Sequence, residues 1–231
     1  MRNTVKKLAV ILGTITLIIV MVFSPFRFYV FNLNFYLNLY EKNAVFDTVD
    51  KQDAIRLTEN IFEYFKHKTQ FVPFILKNNL PYFTTDEIRH LEDVRVLFNR
   101  IFLTYYICLG LSLIFIIIQI DKNKSNFLKN IAVLLITPSL ILIFLLLIIY
   151  FMGQNFSFSF EKFHLLFFPQ GNYAFPEDST LITLLPLNFF YDFFERLVFS
   201  SIIISVILTS IGITFLIFLR KIKIRAKNER H

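Results

Sequence analysis

Four stretches of the chain are almost entirely apolar, and each is long enough to cross a bilayer. They cover residues 8–26, 101–120, 131–152 and 197–219, and none of them contains a formal charge. A hydrocarbon core of about 30 Å requires roughly 20 helical residues, because each residue advances a helix by about 1.5 Å. The pattern therefore predicts a mainly α-helical membrane protein with four transmembrane helices.

The first apolar stretch could also be a cleaved signal peptide, because Arg2, Lys6 and Lys7 precede it. A signal peptide has an apolar run of about 7 to 15 residues and a cleavage site of small residues. Here the run is longer, and Ser-Pro-Phe-Arg follows it. We interpret this stretch as a retained membrane anchor.

Two long loops separate the spans and cover residues 28–98 and 153–195. At 71 and 43 residues they are too long to be simple connections. We expect the two loops to pack together as one cap on the outer face. Because there is no internal repeat or low-complexity linker, the chain is best described as a single membrane domain, residues 1–231.

The first loop shows two different periods. Apolar residues at 31, 33, 35, 37 and 39 alternate with mostly polar ones, which predicts a half-buried strand. Residues 51–67 instead place Ile55, Phe62 and Phe65 near one stripe with charges between them, as in an amphipathic helix.

A third element is predicted to begin after Thr84. Thr84 and Glu87 have the spacing of a capping box, in which each residue satisfies a backbone N–H of the other. Neither Pro nor Gly occurs from there to Cys108. We therefore expect one helix that continues directly into the second span.

The second loop has two competing patterns. Phe156, Phe158 and Phe160 alternate with serines, whereas Phe160, His164 and Phe167 lie at helical spacing. We favour a short helix that ends before Pro169, because a residue that precedes proline avoids the helical conformation. Gly171-Asn172 then predicts a turn.

Composition and charge support a membrane location over a nucleic-acid partner. The chain is 55% hydrophobic and 18% charged, with a net charge of +7. Half of its 24 basic residues lie in residues 1–7, 121–130 and 220–231, whereas the long loops carry 15 acidic and nine basic residues. Because basic residues concentrate on the cytoplasmic side, both termini are predicted to be cytoplasmic and both long loops external.

The sequence contains few of the residues that common catalytic centres need. Cys108 is the only cysteine, so no disulfide can form within the chain. The G-x-S-x-G, H-E-x-x-H and P-loop motifs are absent. A zinc site built on His90 and His164 would need Asp93 or Asp178 and would still lack clear further ligands. We therefore predict neither a metal nor a cofactor.

Two of the four histidines are candidates for chemistry. His67 and His231 lie in charged segments that are typical of a solvated surface, whereas His90 and His164 lie in aromatic-rich parts of the two loops. Each alone could be a hydrogen-bonded packing residue. A pair facing one substrate could divide base and acid work, because imidazole both accepts and donates protons near neutral pH.

The segments around these histidines resemble those of a known family. Residues 86–95, DEIRHLEDVR, resemble the E-I-x-H-L-x-D-V-[KR] motif of the lipoprotein intramolecular transacylases, which are bacterial four-span membrane proteins. Residues 163–173, FHLLFFPQGNY, are similar to that family's F-H-x-x-F-F-x-x-G-N-[W] block, and D-x-L-I and L-P segments follow. Tyr173 replaces the expected Trp, and one extra residue separates Asp178 from Leu181.

This resemblance implies a specific activity in the bacterial cell membrane. The family moves the sn-2 acyl chain of a diacylglyceryl-cysteine lipoprotein to the α-amino group of the same cysteine, which gives a lyso-form lipoprotein. The resemblance implies that His90 and His164 form the catalytic pair and that the partners are a lipoprotein N-terminus and membrane lipid. The candidates for substrate contact are Arg89, Asp93, Phe163, Phe167, Asn172, Tyr173 and Asp178.

Two alternatives fit the same residues. The protein could be a lipid or lipoprotein esterase that uses the two histidines to hydrolyse an ester. It could instead be a non-catalytic membrane sensor or assembly partner whose cap binds another protein.

Overall fold

The computed structural model describes residues 2–67, 82–152, 155–171 and 173–228, and nearly all of these are helical. A 3₁₀ turn covers Val45–Asp47. The α-helices, in chain order, are α1 (Arg2–Tyr29), α2 (Leu33–Lys42), α3 (Lys51–His67), α4 (Thr85–Ile118), α5 (Lys124–Met152), α6 (Phe156–Phe167), α7 (Thr180–Leu184) and α8 (Leu187–Asn228).

Four of these helices are long and apolar enough to cross a membrane. They are α1, α4, α5 and α8. Three of them contain a whole apolar stretch of the sequence, and α4 ends at Ile118, two residues before the end of the stretch 101–120. The prediction of a mainly α-helical protein with four transmembrane helices is confirmed. In lipid only helices and closed barrels satisfy every backbone polar group internally, which explains why the apolar stretches are continuous helices.

The chain divides into two compact units. The first comprises Met1–Pro25, Leu103–Phe151 and Leu197–His231, and the second comprises Phe26–Phe102 and Met152–Arg196. The first unit contains most of the apolar helical length, and large side chains such as those of Phe144 and Ile117 are more than 60% exposed on its surface. Such side chains are compatible with contact to acyl chains.

The helices of the first unit pack through small and polar residues. A Cβ atom added to Gly13 would lie 2.9 Å from Cδ1 of Leu134, so the absence of a side chain allows α1 and α5 to approach closely. The Ser112 hydroxyl donates to the Thr16 hydroxyl at 2.9 Å and links α4 to α1. Without a hydrophobic force between helices in lipid, close packing and such hydrogen bonds stabilise their association.

The strand predicted around residues 31–39 is wrong, because this segment forms α2. The Asn32 side chain accepts a hydrogen bond from the Phe35 N–H and caps the helix. The apolar alternation also contains an i, i+4 series, and the helix buries Phe35, Leu39 and Tyr40 on one side. A short alternating run does not distinguish the two periods, and here the local cap and the burial of this stripe decide in favour of a helix.

The second unit has a core of aliphatic and aromatic side chains. The amphipathic helix predicted over residues 51–67 is confirmed as α3, which buries Ala54, Leu57 and Ile61. The Tyr40 and Thr58 hydroxyls are 2.8 Å apart and hydrogen-bonded, and they join α2 to α3. The buried core comprises Phe35, Leu39, Tyr40, Val45, Ala54, Leu57, Ile61, Tyr64, Phe65, Phe83, Leu91, Leu181, Leu184 and Phe189.

The helix starts and stops predicted near the histidines are also confirmed. The Thr84 N–H donates to Glu87 at 2.7 Å, and the Glu87 N–H donates to the Thr84 hydroxyl at 3.3 Å. From this cap α4 continues without interruption to Ile118. Helix α6 ends at Phe167, before Pro169. Gly171 follows with a φ of 79°, a conformation that glycine adopts without steric cost.

We predict that Gly212→Ala destabilises the protein, whereas Gly110→Ala does not. A Cβ atom at Gly212 would lie 2.6 Å from Cγ1 of Ile136 and 3.1 Å from the Ala132 carbonyl oxygen, whereas nothing lies within 4 Å at Gly110. Overpacking costs about 1 to 3 kcal/mol, and replacing a helical glycine with alanine gains up to about 1 kcal/mol. Thermal unfolding in detergent measures both variants, and equal midpoints would contradict this packing.

Candidate active site

The second unit brings His90 and His164 together. His90 projects from the second turn of α4 and His164 from the last turn of α6. Their ring centroids are 5.9 Å apart and the planes are inclined by only 25°. Two residues that are 74 positions apart in the sequence therefore form one pair of nearly parallel imidazoles.

The orientation of the His164 ring is fixed by its own helix. Its Nδ1 lies 2.7 Å from the carbonyl oxygen of Phe160, one helical turn earlier. A carbonyl oxygen only accepts hydrogen bonds, so Nδ1 carries the proton and Nε2 has a free lone pair when the ring is neutral. Burial lowers the pKa of His164 below its usual value, although the hydrogen bond to Phe160 opposes this. At neutral pH the ring is therefore uncharged and can act as a base at Nε2.

Aromatic side chains surround the two imidazoles. The ring of Phe168, which is 2% exposed, has its centroid 4.9 Å from that of His90 and 5.5 Å from that of His164. Phe160 lies 4.3 Å from His164 and Phe175 lies 5.6 Å from His90. This apolar surrounding keeps the imidazoles away from much of the solvent and favours their neutral forms.

The three aromatic candidates from the sequence lie beside the two imidazoles. The Tyr173 ring is 5.0 Å from that of His164, and Phe163 is 5.5 Å from the same ring. Phe167 contacts Phe163 at 4.8 Å, and both phenylalanines are more than 40% exposed. They form an accessible apolar surface beside His164.

Asp93 lies one turn beyond His90 on α4, and its carboxylate accepts a hydrogen bond of 2.7 Å from the side-chain amide of Gln170. This bond links α4 to the turn that follows α6. It also places a carboxylate near the His90 imidazole, where it could accept a hydrogen bond from a substrate.

The remaining candidates are placed differently. Arg89 forms an ion pair of 3.3 Å with Asp86 on an exposed face of α4, which accounts for its charge locally. Asp178 is exposed in the turn before Ser179. Asn172 lies outside the described residues. Within the described ranges, no group of three His, Cys, Asp or Glu side chains could hold a metal ion.

Sequence reasoning missed three residues of this site. Phe175 and Gln170 contact His90 and Asp93, respectively, from the segment after α6. No local pattern indicates either contact, because both depend on how the chain returns over α4. The Phe160 carbonyl, in contrast, could have been found from the i, i+4 spacing of Phe160 and His164 within a helix.

The fold and this site define a class: an integral membrane protein with four spans and a pair of imidazoles in an aromatic surrounding. The family model described as lipoprotein intramolecular transacylase Lit matches residues 9–190. The chain therefore belongs to the Lit family.

Solved structures and one curated relative were also similar. A structure of Lit from Bacillus cereus has a TM-score of 0.74 and 18% identity, covering 95% of this chain and 99% of that one. A variant of it with one histidine replaced by arginine has a TM-score of 0.72 and 18% identity, covering 95% of each chain. An uncharacterized protein from Aquifex aeolicus is 32% identical over 130 residues. The chain spans 55% of the length of that relative.

We predict that Phe168→Ala lowers stability much more than Phe167→Ala. Truncation of a buried Phe costs about 3 to 5 kcal/mol, and Phe168 is 2% exposed whereas its neighbour is 46% exposed. Thermal or denaturant unfolding of the two purified variants measures the difference. If both substitutions shift the midpoint equally, Phe168 does not provide the packed wall of this site.

Proposed function

We propose that this protein is an intramolecular O-to-N acyltransferase of bacterial lipoproteins. It would move the sn-2 acyl chain of an S-diacylglyceryl-cysteine to the α-amino group of the same cysteine and give a lyso-form lipoprotein. The observation that carries this proposal is the pair of imidazoles, whose ring centroids are 5.9 Å apart. In one of them, His164, the hydrogen bond at Nδ1 leaves Nε2 unprotonated when the ring is neutral. Membership of the Lit family supports the reaction class.

We further propose that the site faces the outside of the cell. Both histidines belong to the unit formed by Phe26–Phe102 and Met152–Arg196, which contains the acid-rich loops of the sequence. The basic segments at both termini and at residues 121–130 would then be cytoplasmic. An external site suits the substrate, because the cysteine amine of an anchored lipoprotein lies at the outer surface.

The first step is the attack of the amine on the ester carbonyl. Nε2 of His164 takes a proton from the nitrogen while the new N–C bond forms, which requires a neutral imidazole. The α-amino group has a pKa of about 7.7 to 8, so a useful fraction is unprotonated near neutral pH. The Asp93 carboxylate can hold the unprotonated amine nearby by accepting a hydrogen bond from its N–H in place of the side-chain amide of Gln170.

The second step is the departure of the glycerol oxygen. As the C–O bond breaks, His90 donates its N–H proton to this oxygen, and in the same step the proton that His164 took from the amine passes to the other nitrogen of His90, so that no imidazolate forms. One proton therefore moves from nitrogen to oxygen, and both rings return to their neutral forms. A positioned acid or base of this kind contributes about 10² to 10⁴ in rate.

The remaining candidates would bind the substrate rather than transfer protons. Phe163 and Phe167 offer an apolar surface for the acyl chains, and the hydroxyl of Tyr173 could stabilise the oxyanion. Roles for Asn172, Arg89 and Asp178 remain sequence-based predictions.

No acyl-enzyme is required for this reaction. The ester that gives the acyl chain and the amine that receives it belong to one molecule. Well-oriented intramolecular reactions reach effective molarities of about 10⁵ to 10⁸ M. The enzyme needs to fold the substrate so that the amine meets the ester and to limit the access of water, which would hydrolyse the same bond. The aromatic surrounding of His90 and His164 fits that requirement.

We predict that His164→Asn and His90→Asn each reduce acyl transfer by about 10² or more, because each removes one proton carrier. His67→Asn is the matched control, since the sequence places that histidine in a Lys-His-Lys run on α3. Each chain is expressed in a bacterium that lacks the activity, and the N-terminal peptide of an abundant lipoprotein is fragmented by mass spectrometry.

The peptide mass distinguishes the three functions. Transfer leaves the total mass unchanged and places one acyl chain on nitrogen. An esterase would remove the mass of one acyl chain and release a free fatty acid. A sensor or assembly partner would leave S-diacylglyceryl-cysteine with a free amine in every strain, and this result would refute the proposal.

We predict that the acid limb of the pH profile steepens only below pH 6.5. As the pH falls, protonation of the substrate amine gives log(kcat/KM) a slope of about 1 below a pH of about 8. A second proton, on His164, would raise the slope to about 2 only below the pKa of that ring, which burial lowers. Initial rates on a diacylglyceryl lipopeptide measure the profile, and a slope of 2 that begins above pH 6.5 contradicts a buried neutral base.

A further inference from the structure

Glu87 is the most deeply buried carboxylate near the imidazole pair, with 1% of its surface exposed. The capping box explains only one of its two oxygens. Oε2 accepts hydrogen bonds from the N–H and the hydroxyl of Thr84, at 2.7 and 2.9 Å. Oε1 accepts a bond of 2.8 Å from the backbone N–H of Leu181, which is 94 positions further along the chain. A buried carboxylate with one oxygen in a local cap and the other bonded to a distant part of the chain is more than a helix cap.

Leu181 lies in the first turn of α7, and this turn has a second attachment. The Thr180 hydroxyl donates to the carbonyl oxygen of Tyr82. The Tyr82 hydroxyl in turn donates to the Asp53 carboxylate of α3 at 2.7 Å. The start of α7 is therefore tied to the segment that leads into α4 and, through it, to α3.

Residues 173–181, which we name the aromatic strap, lead from the imidazole pair to this anchor. Tyr173 lies 5.0 Å from His164, and Phe175 lies 5.6 Å from His90. Just before the strap, Gln170 is bonded to Asp93. Glu87, His90 and Asp93 are thus spaced three residues apart on α4, and without substrate both carboxylates bond the returning chain. When the substrate amine replaces Gln170 at Asp93, the bond from Glu87 to Leu181 is the one that remains.

We propose that Glu87 is a positioning residue for the acyl transfer: through Leu181 it holds the aromatic strap against both imidazoles. This inference rests on the function proposed above and adds to it a residue that contacts neither the substrate nor a histidine ring. Its carboxylate is suited to this role because it accepts hydrogen bonds at both oxygens, and a charged acceptor binds more strongly than a neutral one. A glutamine would present an NH₂ group to one of these donors.

Two variants separate the anchoring of the strap from the helix cap. Glu87→Gln disturbs both, whereas Thr84→Ala removes the cap hydroxyl and leaves the Leu181 bond. We expect Glu87→Gln to lower kcat by about 10 to 100-fold, since a displacement of about 1 Å can cost 10² in rate. We expect its KM to change little and the kcat of Thr84→Ala to stay within about twofold of the wild-type value.

A second readout follows the strap directly. The sequence contains no Trp, so Phe175→Trp introduces a single tryptophan, excited selectively over the tyrosines, into the strap of the full-length protein. We expect the emission of this reporter chain to shift to longer wavelength when Glu87→Gln is added and to stay unchanged with Thr84→Ala. If Glu87→Gln does not fold, Thr180→Val replaces it, because it removes the hydroxyl bond to Tyr82 at the same end of the strap.

The outcomes are decisive in each case. Equal kcat values for Glu87→Gln and Thr84→Ala, or an unshifted emission in the strap variant, overturn the positioning role. If no chain transfers an acyl group, including the wild type, the proposed function fails. In that case the emission alone tests whether Glu87 anchors the strap. A shift supports the anchoring, and an unchanged spectrum overturns it.

Discussion

A single uninterrupted helix, α4, sets the geometry on which the candidate site depends. The hydrogen bond from the Thr84 backbone N–H to Glu87 marks where the helix begins, and the backbone hydrogen bonds then fix the spacing of every later side chain. His90 and Asp93 follow at intervals of three residues and lie on related faces. A shift in the start of α4 would displace the imidazole and both carboxylates together.

The chemistry of the site follows from exclusion of water. Phe168 and Phe160 pack against the imidazoles, and a hydrogen bond to a main-chain carbonyl fixes the tautomer of His164. A neutral ring with a free Nε2 can remove a proton from an amine, and the same apolar environment disfavours hydrolysis. In the proposed reaction, selection of an amine over water needs no covalent intermediate. It needs an amine that is already held beside the ester, and the proposal assigns this binding to the Asp93 carboxylate.

Much of the fold could be predicted because lipid imposes strong rules on sequence. The four spans, the amphipathic helix α3, the cap at Thr84 and the short helix before Pro169 all follow from local pattern. The strand predicted near residue 35 was wrong because a short alternation also contains a helical stripe, and the Asn32 cap decided between them. The two histidines were identifiable as candidate site residues from their aromatic surroundings and from the resemblance to a family. The distance between them and the orientation of their rings could not be predicted from the sequence.

The sequence by itself determined which segments are apolar enough for a bilayer, where the helices start and stop, and which residue types are available for proton transfer. Only the tertiary structure decided that α4 and α6 bring two imidazoles together. It also decided that Gln170 reaches Asp93 and that Glu87 holds Leu181. The physical reason is the distance along the sequence over which each effect acts. Hydropathy, capping and proline effects act within a few residues, whereas these contacts join segments up to 94 positions apart and depend on how the whole chain packs.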